Sequence, residues 1–96
     1  MVNGNDKIMT LHPDPNKAGV NISREKYDII RNEITSVLRK DELTHSDLNN
    51  RIKSRIKKKF DGSVSWYVET VKLDLEARGK IERVIKSRLP VYRLKR

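Results

Sequence analysis

Val64-Ser65-Trp66-Tyr67-Val68-Glu69-Thr70-Val71-Lys72-Leu73-Asp74-Leu75-Glu76-Ala77-Arg78-Gly79-Lys80-Ile81-Glu82-Arg83 is the stretch on which the fold turns. Val64, Val68, Val71 and Leu75 recur at helical spacing, so a helix with one apolar face is expected over about 64–78. Ser63 or Ser65 is placed to cap its start. Arg78-Gly79 reads as its stop, because glycine reaches the left-handed conformation that ends a helix. Beyond the stop the pattern changes. Lys80-Ile81-Glu82-Arg83-Val84-Ile85-Lys86 and Val91-Tyr92-Arg93-Leu94-Lys95 are rich in β-branched residues, with Ser87-Arg88-Leu89-Pro90 between them. They read as a β-hairpin with a basic tip.

Upstream, Ser23 is suited to cap a helix over about 24–40 whose apolar face is Tyr27, Ile30, Ile34, Val37 and Leu38. Lys40-Asp41-Glu42 ends it, and Leu43-Thr44 is expected to form a short extended pairing segment. Thr44 or Ser46 then caps another helix, with Asp47 suited to the positive end of its dipole. Leu48, Ile52 and Ile56 make a narrow buried stripe there. Arg51, Arg55 and Lys58 share one flank, while Lys53 and Lys57 point away from the core. Phe60-Asp61-Gly62 is a turn. In the first 22 residues, Pro13, Pro15 and Gly19 rule out a helix. An extended arm is expected over 1–22, pinned by Leu11, Val20 and Ile22, with its first eight or so residues disordered. The expected architecture is mainly α with a small β-hairpin, α+β, as a single domain over 23–96.

A chain of 96 residues allows one domain and a modest core. It has no cysteine, which excludes disulfides, thiolate zinc sites and cysteine nucleophiles. No apolar run is long enough for a transmembrane helix, and the start Met1-Val2-Asn3-Gly4-Asn5-Asp6 lacks a signal-peptide pattern. A cytoplasmic protein without a membrane partner is the expectation. His12 and His45 lie in different segments without metal-ligand spacing, and both read as surface residues. There is no nucleophile–base pair and no glycine-rich phosphate loop. No enzyme activity, catalytic residue, metal or cofactor is expected.

Charge is the informative property. Lys and Arg number 22 against 13 Asp and Glu, a formal net charge of +9. Residues 80–96 carry +6 of it, whereas 61–79 carry −2. Such an excess favours a polyanionic partner.

The order of helix, short strand, helix, turn, helix and basic hairpin resembles a winged helix-turn-helix domain. The resemblance covers about 23–96 and is carried by Ser65-Trp66-Tyr67-Val68 and by Leu73-Asp74-Leu75-Glu76-Ala77-Arg78-Gly79-Lys80-Ile81-Glu82-Arg83. Leu11-His12-Pro13-Asp14-Pro15, followed by the Trp66 segment, is also similar to a group of small uncharacterised prokaryotic winged-helix-like proteins. That narrower likeness implies a fold and no established activity. The wider one implies that the helix Val64–Arg78 enters a major groove. It also implies that the tip Lys86–Pro90 touches the neighbouring minor groove or backbone.

Phosphate contact needs long cationic side chains on an exposed surface. Lys86, Arg88 and Arg93 qualify in the hairpin, joined by Arg83 if it shares their strand face. The plainer reading is a basic sheet edge that resists aggregation. Lys53 and Lys57 are candidates on the preceding helix, and Ser63, Ser65 and Thr70 for small contacts. The outward face of the helix after Gly62 holds Trp66, Glu69, Thr70, Leu73 and Ala77, and Glu69, Asp74 and Glu76 outnumber Lys72 and Arg78. Acids facing phosphates cost affinity, so sequence-specific reading is not expected. Trp66 and Leu73 form an apolar strip suited to a protein partner or a homodimer, to cover by the arm, or to base stacking by Trp66. The expectation is a DNA-binding module that contacts mostly backbone, with structured RNA answering to the same charge. The alternative is a protein–protein interaction or dimerisation module without DNA binding.

Overall fold

The computed structural model describes residues 6–56 and 60–95. In chain order they form β1 (Lys7–Met9), β2 (Asn21–Ser23), α1 (Arg24–Leu38), α2 (His45–Ile56), α3 (Val64–Ala77), β3 (Ile81–Lys86) and β4 (Leu89–Leu94). The architecture is α+β: among the described residues, three helices and two small antiparallel sheets, β1–β2 and β3–β4.

Local chemistry sets the helix ends. The Ser23 side chain accepts the Lys26 N–H at 3.3 Å to cap α1, and the Thr44 hydroxyl accepts the Asp47 N–H at 3.2 Å at the start of α2. Ser63, not Ser65, caps α3, accepting the Trp66 N–H at 3.2 Å. At the far end, Gly79 takes φ +77, so its N–H reaches the Glu76 carbonyl at 3.1 Å and the Lys80 N–H reaches that of Leu75 at 2.9 Å. This satisfies carbonyls that the helix leaves open and turns the chain directly into β3.

The apolar stripes read from the sequence meet in one core. Ile30, Ile34, Leu48, Ile52, Val68 and Val71 are fully buried at its centre, and Ile22, Leu43, Phe60, Ile81 and Tyr92 close it. Each such aliphatic side chain contributes roughly 1.5–3 kcal/mol by leaving water. Leu43 exchanges two backbone hydrogen bonds with Tyr92, at 3.1 and 2.7 Å, on the edge of β4 away from β3. The expected pairing segment is therefore present as an isolated bridge. The β3–β4 turn is tighter than expected. Only Ser87 and Arg88 form it, at φ 50° and 71°, and Leu89 and Pro90 belong to β4. Two successive left-handed residues give the turn twist that matches a right-twisted hairpin.

The N-terminal segment differs most from expectation. Lys7 and Ile8, expected to be disordered, pair as strand with Ser23 and Ile22; Met1–Asn5 lie outside the described residues. Of the three expected apolar pins only Ile22 is buried, and Leu11 and Val20 are exposed. Polar groups do the pinning instead. Thr10 is buried and its N–H and hydroxyl both donate to the Val20 carbonyl, at 2.8 and 2.9 Å. The Val20 N–H returns a bond to that hydroxyl at 2.8 Å. Gly19 packs so closely that a Cβ there would lie 1.9 Å from the Thr10 carbonyl oxygen. The Leu11 N–H then donates to Asp74 Oδ1 on α3 at 2.8 Å.

Asp74 was expected among the acids exposed on α3, but it is fully buried. Its carboxylate also accepts the Tyr27 hydroxyl of α1 and, at 2.8 Å, Arg78 Nε one turn along. Burial first, then the neighbouring carboxylate, pushes the Tyr27 phenol up to about 12. Buried charge requires partners, and the arm supplies one of them. Lys72, counted with Arg78 against the acids of α3, is likewise buried.

Candidate nucleic-acid interface

The hairpin strands set the direction of the basic side chains. In the β3–β4 register Glu82 faces Arg93 and Lys86 faces Leu89, while Arg83 faces Tyr92 and Ile85 faces Pro90. Directly opposed residues share a sheet face and neighbours alternate. Lys86 and Arg93 therefore lie on one face, and Arg83 lies on the other with buried Tyr92. Arg83 does not join the cluster.

Lys86 and Arg93 are brought together by carboxylates. Glu42, the residue before the bridge at Leu43, accepts from Lys86 Nζ and lies 3.3 Å from Arg93 Nη1. Arg93 Nε donates to Glu82 at 2.6 Å. Hydrogen bonds from Lys86 and Arg93 hold the Glu42 carboxyl below its ordinary value, and the glutamates raise Arg93. Glu42, Glu82 and Arg93, with Arg39, Lys40 and Asp41, line a groove of about 770 Å³. Two of the three candidate wing cations thus carry internal counter-ions.

Arg88 is the contrast. It sits exposed at the turn between the strands, and among the described residues it has no ion-pair partner. Its φ of 71° lies in the region that favours glycine. Lys53 is exposed on α2, also without an ion pair among the described residues, whereas its neighbours Arg51 and Arg55 pair with Asp41 and Glu33 at 2.8 and 2.5 Å. Lys57 lies outside the described residues.

The α3 candidates are largely committed to the fold. The Ser63 hydroxyl is the helix cap, and the Ser65 hydroxyl receives the Asn49 side-chain amide at 3.1 Å, joining α2 to α3. Thr70 is half-buried. Of the acids thought to oppose phosphate, Asp74 is withdrawn into the core and Glu69 is held by Lys72 at 3.3 Å, while Glu76 is half-buried.

Trp66 remains 47% exposed and stands edge-on to Tyr67, with ring centres 4.9 Å apart. The arm docks on Asp74 further along α3 and leaves Trp66 in contact with solvent. Leu73 is half-buried. Tyr67 in turn stacks edge-on against Phe60, and Lys26 Nζ lies 5.5 Å from the Tyr67 ring centre.

Sequence reasoning missed Glu42, read only as a helix end. Its position next to the pairing segment was the available signal, since that puts it beside β4. His45, a surface residue by its sequence context, is half-buried and contacts Lys72 and Glu69. His12 is half-buried too, its Nδ1 accepting the Asp14 N–H at 3.0 Å. Among the described residues no group of three His, Asp or Glu side chains is arranged to hold a metal ion, and no helix is long and apolar enough to cross a membrane.

The profile of a family of unknown function (DUF6958) matches residues 7–91, and the chain belongs to that family. Comparisons with curated proteins and with solved structures gave no match.

Proposed function

We propose that this family member is a winged helix-turn-helix module that holds duplex DNA by its backbone, with little sequence preference. The order α1, Leu43, α2, α3, β3, β4 supports the winged reading, as does the pairing of Leu43 with β4 rather than β3. The net charge of +9 supports a polyanionic partner.

Arg88 carries the proposal. An L-residue in the left-handed region costs about 1–2 kcal/mol that glycine does not incur. The chain nonetheless places a long cation there, at the tip of the hairpin and without an internal counter-ion among the described residues. The turn itself demands the left-handed backbone, and an arginine where glycine is the usual choice is read as kept for its side chain. From this tip a guanidinium reaches phosphates or a narrow minor groove. Lys53 supplies a second contact from α2, and Lys57 belongs to the same proposal. Lys86 contributes once phosphate displaces Glu42, and Arg93 once it displaces Glu42 and Glu82.

The commitment of Ser63 and Ser65 to capping and packing leaves α3 little with which to read bases. The test is binding to two labelled duplexes of unrelated sequence. The parent is expected to bind both alike, and Arg88→Gly to weaken both by the same factor. An Arg88→Gly variant that binds like the parent refutes the wing contact.

The exposure of Trp66 favours a second reading, a protein-contact surface centred on Trp66 with Leu73 beside it, serving a partner or a homodimer. In that case Trp66→Ala abolishes association in sedimentation while DNA binding is absent.

A further inference from the structure

Lys72 is only 3% exposed, an unusual place for an ammonium group. Its Nζ lies 3.0 Å from His45 Nδ1, 3.3 Å from Glu69 Oε1 and 4.2 Å from the centre of the Tyr92 ring. His45 Nε2 lies 3.3 Å from Glu69 Oε2. An ammonium has only protons to offer, so His45 Nδ1 must accept from it. The imidazole proton is then on Nε2, directed to Glu69. This arrangement requires neutral His45. A proton added at Nδ1 would set donor against donor, and cation against cation, beside a buried ammonium.

The cluster joins three elements. His45 opens α2, Lys72 and Glu69 belong to α3, and Tyr92 belongs to β4. Asp47 is the acid in the first turn of α2. Leu43, two residues before His45, makes the backbone bridge to Tyr92. The polar cluster and the bridge thus fasten the root of the hairpin to the helices.

We propose that His45, Lys72 and Glu69 form a proton-sensitive joint at the root of the hairpin, and that protonating His45 loosens β4 from α2 and α3. Burial and then the Lys72 charge hold His45 below its ordinary value of 6.5, with Glu69 opposing them. A base whose value is lowered by folding binds protons more readily in the unfolded chain. Its stabilising effect is complete above 6.5 and is lost as pH falls from there through the lower folded value.

The test is amide hydrogen exchange in a His12→Gln background, expressed as protection relative to the intrinsic rate at each pH. Leu43 and Tyr92 amides are compared with those of Ile30 and Ile34 in α1, at about pH 7.5 and about pH 5.5, on either side of the ordinary histidine value. Protection at Leu43 and Tyr92 is expected to fall in acid while α1 holds. Lys72→Met, which keeps His45 but removes the opposing charge, is expected to diminish the pH response, and His45→Gln to abolish it. Unchanged protection in the parent background overturns the proposal, as does a parallel fall at all four amides. A pH response that Lys72→Met leaves undiminished overturns it too, and this variant decides the matter if His45→Gln does not fold.

Discussion

Asp74 and Glu42 each gather donors from distant parts of the chain, yet they serve opposite ends. Asp74 is fully buried and holds the Leu11 N–H, the Tyr27 hydroxyl and Arg78, so it clamps the N-terminal segment to α1 and α3. Glu42 lies at the surface and holds Lys86 and Arg93, which water and a polyanion can also reach. The chemistry is the same and the solvent differs. A buried carboxylate leaves its partners unsatisfied when removed, whereas exposed ion pairs contribute little to stability. The first network fixes the fold, and the second gives two cations of the hairpin an internal counter-ion.

The largest effect should come from breaking the buried side. Asp74→Ala strands the buried Tyr27 hydroxyl at about 1–3 kcal/mol and removes the part-buried bond to the Leu11 N–H at about 0.5–1.5 kcal/mol, so a loss of roughly 1.5–4.5 kcal/mol is expected in urea unfolding. A loss under about 1 kcal/mol, no more than an ordinary surface substitution gives, would mean that the clamp does not hold the segment in solution. Arg88→Gly separates function from fold. It should weaken duplex binding while raising stability by about 1 kcal/mol, because the left-handed strain is relieved. Loss of both together would deny that the arginine is kept for its side chain.

Glu42→Gln addresses the exposed side. It should tighten duplex binding modestly by freeing Lys86, while Glu82 still holds Arg93, with the melting temperature nearly unchanged. Unaltered affinity would show that Lys86 does not meet the DNA. The smallest effect is spectroscopic. Tyr27 should ionise only near pH 12, followed by ultraviolet absorbance. Folding raises its value, so its contribution to stability is full below 10.0 and is lost as pH climbs through about 12. In Asp74→Asn the step should move down.

Much of this was legible in the sequence. The stripes Tyr27 to Leu38, Leu48 to Ile56 and Val64 to Leu75 gave the helices, since burial of one face imposes the helical period. Leu43 was readable as a pairing segment and residues 80–95 as a hairpin. The clamp was not readable. Leu11 and Asp74 lie 63 residues apart, and periodicity places a carboxylate outside unless its partners are known. The same limit hid the cluster of Lys72, Glu69 and His45. Of the candidate site, the chemistry of Arg88 and Lys53 could be read, but not the pairing of Lys86 and Arg93. That pairing depends on which strand face Glu42 meets.

The salt dependence of duplex binding tests the central claim most directly. For the parent, log affinity should fall linearly with log salt concentration, with one slope for two unrelated sequences. For Arg88→Gly the slope should be shallower by about one phosphate contact. A parent chain of net charge +9 that shows no binding even at low salt would contradict the account, as would a slope that Arg88→Gly leaves unchanged.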